Sequence, residues 1–108
     1  MASEHSDRAM GSVRLFLRRR VTDFDEWRSR FERNLPDLTR SGVRGFTLCR
    51  ALDDPNEIHL VLVFDSLENA SRMAGQIDLP ESHERALMAG ALEIGSMWLA
   101  ETVASREL

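Results

Sequence analysis

DDPNEIHLVLVFDS, residues 53–66, contains a turn, a strand and the start of a helix in direct succession. Aspartate, proline and asparagine favour tight turns, because proline fixes φ and the Asx side chains bond to the nearby backbone. Residues 57–64 then alternate between two faces with period two, which predicts a strand. Asp65 or Ser66 is predicted to cap the next helix, with Glu68 completing a capping box for Asp65.

The residues upstream of this stretch predict a strand, a helix and a second strand. Residues 13–21 alternate with period two, and residues 43–51 lead into the turn. Between them, apolar residues recur at spacings of three and four, which predicts one stripe along a helix. The stripe contains Phe24, Trp27, Phe31, Leu35 and Leu38.

The ends of this first helix carry their own signals. Asp23 and Glu26 form a capping-box pattern at its start, and Gly42 suits the left-handed residue after its end. Pro36 removes a backbone donor, so a kink or a second short helix is predicted from there.

The residues downstream predict a second helix and a last strand. Gly75 and Pro80 predict that the helix pauses and restarts before it ends at Gly90, and residues 94–103 form the strand. The order is βαββαβ, with two right-handed crossovers around a central hairpin. It predicts the α+β, ferredoxin-like arrangement: a four-stranded antiparallel sheet with both helices on one face.

Length and composition indicate one globular domain. The chain has 108 residues, of which 43% are hydrophobic and 30% charged. Residues 13–103 are predicted to form the domain, residues 1–12 a flexible N-terminal tail, and residues 104–108 a C-terminal tail.

Several functional classes are disfavoured. The net charge is −4, and the arginines at 18–20 lack interleaved aromatic residues, which argues against nucleic acid. The longest apolar run, residues 60–64, is too short to span a membrane, and residues 1–10 are too polar for a secretory segment, so a cytoplasmic location is predicted. The lone Cys49 and the scattered histidines predict no disulfide and no metal site. No motif for a haem, flavin or nicotinamide cofactor is present, so no cofactor is predicted.

The two faces of the predicted sheet are both apolar. One set should pack under the helices: Val13, Leu15, Leu17, Ile58, Leu60, Leu62 and Phe64. Period two then places a second set on the opposite side: Phe16, Cys49, Val61, Val63 and Trp98. Because a solvated sheet face is normally polar, a homodimer that covers this second face is predicted.

Two histidines are candidate catalytic residues. His59 lies in the middle of the third strand, where an imidazole could act as general acid or base; the alternative is a histidine hydrogen-bonded across the dimer interface. His83 stands one turn before Leu87 and could face the space between helix and sheet, or be a half-exposed surface residue.

Aromatic and polar residues supply candidate ligand contacts. Trp27, Phe31 and Trp98 could stack against a planar ring, although large aromatic side chains are more often core. Arg18 and Arg50 lie in strands, where a guanidinium could hold a carbonyl, enolate or carboxylate, or simply be solvated. Asn34 could hydrogen-bond a ligand or cap the next helical turn.

Four runs together resemble the dimeric α+β barrel superfamily, in particular its antibiotic biosynthesis monooxygenase-like and polyketide cyclase-like branch. They are VTDFDEW, SGVRG, DDPNEIHLVLVFDS with the following ENA, and MAGALEIG before the strand that holds Trp98. The resemblance covers residues 13–103. The shared motifs mark caps and turns, so they are specific for fold and weak for chemistry.

The resemblance implies a small aromatic or polyketide-like ligand. In monooxygenases of this family, an asparagine and a tryptophan near the third strand handle the substrate. The matching positions here are Leu60 and Phe64, so Phe64 becomes a candidate substrate contact while the departure counts against oxygenation. Three functions stay open: a cofactor-independent cyclase or dehydratase in which a histidine moves a proton and Arg18 stabilises an enolate, a cofactor-free monooxygenase, and a non-enzymatic ligand-binding or structural dimer.

Overall fold

The computed structural model describes residues 13–88, 91 and 95–108. The predicted N-terminal tail, the helix end at Gly90 and the strand start at residue 94 lie outside the described residues. The elements follow the predicted order, with each helical segment divided in two. They are β1 (Val13–Arg20), α1 (Phe24–Arg33), α2 (Leu35–Arg40), β2 (Val43–Arg50), β3 (Glu57–Phe64), α3 (Leu67–Ile77), α4 (Pro80–Met88) and β4 (Ser96–Glu101).

The four strands form one antiparallel sheet in the order β2-β3-β1-β4. The two central strands are β1 and β3, with Leu15 opposite Leu62 and Phe16 opposite Val61. This topology confirms the predicted ferredoxin-like α+β fold. None of the described helices has the length and apolar character needed to cross a membrane.

The strand ends differ from the predicted ones by one or two residues, except in β3. β1 ends at Arg20, because the N–H of Val21 donates to the carbonyl of Asn56, and Val21 forms an isolated bridge with Ala91. β2 ends at Arg50, one residue early, and β4 ends at residue 101 instead of 103.

The start of α1 confirms one half of the predicted capping box. Asp23 Oδ1 accepts a hydrogen bond from the backbone N–H of Glu26 at 3.1 Å. The carboxylate of Glu26 does not return to the cap, because it pairs with Arg30 one turn along the helix at 3.2 Å.

The start of α3 corrects the choice between two candidate caps. Ser66 Oγ accepts from the backbone N–H of Asn69 at 3.1 Å, so Ser66 is the cap. Asp65 instead accepts from Arg44 Nε at 3.1 Å, and Glu68 pairs with Arg72. The box predicted for Asp65 is therefore wrong.

Both helical segments break close to the predicted prolines. Asn34 separates α1 from α2, and Pro36 lies in the first turn of α2, where its missing N–H costs no hydrogen bond. α3 continues through Gly75 and ends before Asp78. Gly42 has φ 105°, which confirms its left-handed role after α2.

The core lies between the helices and one face of the sheet. Leu15, Leu62 and Phe64 are buried in it, together with Ala70 and Met73 of α3. The other sheet face carries the alternate residues of each strand, among them Arg14, Phe16, Arg18, Glu57, His59, Val61, Val63 and Trp98. We call it the open face.

Leu15→Ala tests this assignment of faces. Leu15 is fully buried at the centre of β1, so truncation should lower the free energy of unfolding by about 2–5 kcal/mol through lost burial and a residual cavity. Leu52→Ala is the matched control; Leu52 is fully exposed, and its truncation should change that energy by less than about 0.5 kcal/mol. Urea denaturation measures both. Equal losses would contradict the assignment.

Candidate functional site

A cleft opens on the helix side of the sheet, where the second half of α1 passes over the end of β1. Its volume is about 160 Å³. We call it the α1 cleft, and it is lined by Arg19, Trp27, Arg30, Phe31, Asn34, Ala86 and Ala91. The four α1-side residues recur at helical spacings of three, one and three, so they share one face.

Two of the residues that line the α1 cleft, Trp27 and Phe31, are aromatic. The rings of Trp27 and Phe31 stack with centroids 5.3 Å apart and planes 7° from parallel. The two residues are four apart on the helix, which brings their side chains together. Such a pair offers a flat apolar surface to a planar ring.

The positive charge of the cleft comes from Arg19 and Arg30. Arg19 is half-buried on the inner side of β1, and this burial lowers the pKa of its guanidinium by desolvation; the group nevertheless stays charged at neutral pH. A charge with little water around it attracts an anion more strongly than an exposed one does. Arg30 is paired with Glu26.

Asn34 lies at the junction between α1 and α2. Its backbone N–H caps α1 by donating to Phe31 O at 3.0 Å, but its side chain makes no capping hydrogen bond to α2. Asn34 therefore takes the N-cap position of α2 without a side-chain hydrogen bond to that helix, and it lines the α1 cleft.

A second cavity lies on the other side of Phe31. It has about 190 Å³ of space, and we call it the β2 cavity; its lining is Phe24, Arg28, Phe31, Glu32, Phe46, Leu48 and Arg50. The guanidinium of Arg50 lies 4.5 Å from the ring centroid of Phe24, a cation–π contact. Arg50 thus lies next to the α1 cleft and not in it.

Arg18 and His59, both predicted to be catalytic, meet on the open face. Arg18 Nε donates to Glu57 Oε2 at 2.8 Å, and His59 Nε2 lies 2.7 Å from the same oxygen. Hydrogen bonds from Arg18, and then from His59, hold the pKa of Glu57 below its ordinary value. This trio is separated from the α1 cleft by the sheet.

The remaining candidates lie elsewhere. Trp98 stacks on Phe16 on the open face, at 5.3 Å and 2°. Phe64 is completely buried in the core, so a ligand would reach it only if the core opened. His83 lies 3.7 Å from Asp78, and it lines neither cavity as far as the structure describes them.

Sequence reasoning missed Arg19 and Arg30. A signal for Arg19 was available. Side chains alternate between the two faces of a strand, so Arg19 lies on the same face as Leu15 and Leu17 and points under the helices. Reading residues 18–20 as one basic cluster hid that alternation. Arg30 follows Trp27 by three residues, which places it beside the predicted aromatic stripe.

No protein-family model and no curated protein matches the sequence. Among the described residues, no three histidine, cysteine, aspartate or glutamate side chains are grouped so that they could hold a metal ion.

Solved structures with the same fold are found. SnoaB, a cofactor-independent oxygenase from Streptomyces nogalater, is 23% identical, with a TM-score of 0.59 over 89% of this chain and 95% of that one. A proposed antibiotic biosynthesis monooxygenase from Bordetella bronchiseptica is 16% identical, with a TM-score of 0.63 over 85% and 97%. A dimeric ferredoxin-like protein from an uncultured marine organism is 14% identical, with a TM-score of 0.54 over 96% of each chain.

These neighbours confirm the resemblance to antibiotic biosynthesis monooxygenase-like proteins at the level of the fold. At such identities the likeness shows shared architecture, and chemistry has to be argued from the site.

The Glu57 trio predicts a pH-dependent contribution to stability. Because the folded-state pKa of Glu57 is lowered, its ionised form stabilises the fold above the ordinary pKa of 4.5, and this stabilisation is lost as the pH falls through the lowered value. The difference in unfolding free energy between the wild type and Glu57→Gln should therefore shrink from neutral pH to about pH 3. Urea denaturation across this range measures it. Glu84→Gln, on the exposed side of α4, is the control, and a pH-independent difference for Glu57→Gln would refute the prediction.

Proposed function

We propose that the protein is a cofactor-independent enzyme that modifies a small, enolisable aromatic molecule bound in the α1 cleft. The observation that carries the proposal is the half-buried guanidinium of Arg19 beside the stacked Trp27–Phe31 pair. The aromatic pair suits a planar substrate, and the cation suits a substrate that becomes an anion.

The chemistry follows from the charge that develops on the substrate. When a carbon next to a carbonyl loses a proton, the negative charge moves to the carbonyl oxygen. A preorganised cation close to that oxygen lowers the barrier, because it needs no reorganisation during the reaction. Arg19 fits this role, and the Asn34 amide can donate a hydrogen bond to a second substrate oxygen.

Oxygenation is the reaction that requires the fewest catalytic groups in the cleft. The ring CH2 of the substrate releases a proton to solvent, and the resulting carbanion reduces molecular oxygen to a hydroperoxide that takes up a proton and then loses water. The CH2 becomes C=O, one oxygen atom enters the product, and the other leaves as water. The described lining of the α1 cleft contains no histidine or carboxylate. The similarity of fold to the oxygenase SnoaB supports this choice, while Leu60 and Phe64 at the family's substrate positions count against it.

Cyclisation or dehydration of an aromatic polyketide-like substrate is the second candidate. It is favoured by the Arg18–Glu57–His59 trio, which joins a histidine to a carboxylate that orients it. Here His59 moves the proton and Arg18 stabilises the enolate, so the reaction would take place on the open face.

Arg19→Gln separates these candidates. Oxygen uptake and product formation are measured with enolisable aromatic ketones and phenols of one to three rings. Arg19→Gln should lower kcat about a hundredfold, because it removes the cation that stabilises the transition state. Arg72→Gln, on the exposed side of α3, is the matched control and should leave kcat unchanged.

The other outcomes are equally informative. Oxygen uptake stoichiometric with product supports oxygenation. Turnover that is lost in His59→Ala and retained in Arg19→Gln would assign the active site to the open face. Saturable binding without turnover of any substrate would refute the proposed enzymatic function and indicate a ligand-binding protein.

A homodimer through the open face is part of the same proposal. Trp98 is 51% exposed there and shares the face with Phe16, Val61 and Val63, a set that is too apolar for a solvated sheet face. A second copy is the occupant we favour, since a neighbour of the same fold is a dimer.

Trp98→Glu tests the homodimer. A carboxylate on β4, beside Phe16 on the open face, would be buried against a second copy without compensation, so the variant should sediment as a monomer while the wild type sediments as a dimer. Leu52→Glu, which places the same charge on an exposed turn, should leave the dimer intact. A monomeric wild type, or a dimeric Trp98→Glu, would show that the open face is not the interface.

A further inference from the structure

Among the residues that the structure describes, Phe31 alone lines both the α1 cleft and the β2 cavity. Its ring lies flat against Trp27 on one side, with centroids 5.3 Å apart. On the other side it meets Phe46 edge to face, at 5.0 Å and 80°. The side chain is thus a wall between two adjacent spaces beneath α1.

This wall is held in place by packing. Phe31 is 9% exposed and belongs to the hydrophobic core, where side chains have little freedom to move aside. Phe46 comes from β2, and Trp27 comes from the preceding helical turn. Phe31 is therefore fixed between two different elements.

The volume of each space limits how much of a ligand it can enclose. The α1 cleft holds about 160 Å³ and the β2 cavity about 190 Å³. A cavity of roughly 150 Å³ accepts benzene in another protein, whereas sites for drug-sized ligands have about 300–1,000 Å³. Each space alone accommodates one ring. The two joined would reach the lower end of the range for larger ligands.

The charge of the two spaces is also alike. Arg19 and Arg30 line the α1 cleft; the β2 cavity is lined by Arg50 and by the Arg28–Glu32 ion pair, whose Nε and Oε2 atoms are 3.1 Å apart. An anionic group is therefore favoured on either side of Phe31.

We propose that Phe31 is the residue that determines substrate size, and that it restricts the α1 cleft to aromatic anions of a single ring. The inference rests on the proposed function for the location of the site and narrows its substrate class. A smaller side chain at position 31 joins the α1 cleft to the β2 cavity and admits fused rings.

Equilibrium binding of three carboxylates tests the proposal without any turnover. Isothermal titration calorimetry with benzoate, 1-naphthoate and 9-anthracenecarboxylate should show that the wild type binds benzoate about tenfold or more tightly than the three-ring acid, because a packed interior resists extra volume. Phe31→Leu should reverse this order. Phe31→Met, which retains more of the buried volume, serves if Phe31→Leu does not fold.

Two controls make the result specific. Phe24→Leu alters a phenylalanine that lines only the β2 cavity, so the wild-type order should persist. Benzamide, which has the ring without the charge, should bind the wild type more weakly than benzoate.

The outcomes separate this inference from the proposed function. A wild type that binds the three-ring acid as tightly as benzoate overturns the role of Phe31, and so does an unchanged order in the folded Phe31 variants. Selective binding of benzoate without turnover of any substrate overturns the enzymatic function and leaves the role of Phe31 intact.

Discussion

The pairing of β1 with β3 is the contact on which the rest of the structure depends. It joins the two central strands in one register over their full length, with Leu17 opposite Leu60 and Arg18 opposite His59. Since side chains alternate across a strand, this register decides which residues lie under the helices and which lie on the open face. A slip of one residue would move Leu15 and Leu17 out of the core and bring Arg18 into it.

The same alternation explains why three consecutive arginines lie in different environments. Arg19 points under the helices and lines the α1 cleft, whereas Arg18 and Arg20 point to the open face and pair with Glu57 and Asp54. The charge of Arg19, beside Trp27 and Phe31, is thus separated from the charges of the open face by the thickness of the sheet. In the proposed function the substrate anion lies beneath α1 beside Arg19, on the side of the sheet opposite to Arg18 and Arg20.

The topology could be predicted because its signals are local. The turn before β3, the caps at Asp23 and Ser66, and the left-handed Gly42 each depend on a few neighbouring residues. The break after α1 was placed at Pro36 and falls at Asn34, since proline fits within a first helical turn and the new helix starts just before it. Such errors of one or two residues leave the fold unchanged.

The candidate site was predictable only in part, because it depends on contacts between distant elements. The stripe on α1 correctly grouped Trp27 and Phe31, but Arg19 joins them only through the packing of β1 beneath α1. His59 and Arg18 were each identified alone; Glu57, which links them, becomes visible only when the register of β1 and β3 is known. Sequence periodicity gives the face of a residue, and tertiary packing gives its neighbours.

Phe31 connects the stability of the fold to the shape of the candidate site. It contributes to the core through Trp27 and Phe46, and it also separates the two cavities beneath α1. A change in its volume therefore alters both the packing energy and the space available to a ligand. Residues lining only one cavity, such as Asn34 or Arg50, can change the chemistry of that cavity at a smaller cost to the core, because they are exposed at its edge. Substitutions at the rim can thus alter charge at a small cost to the core, whereas in the proposed role of Phe31 a change in ligand size requires repacking around this side chain.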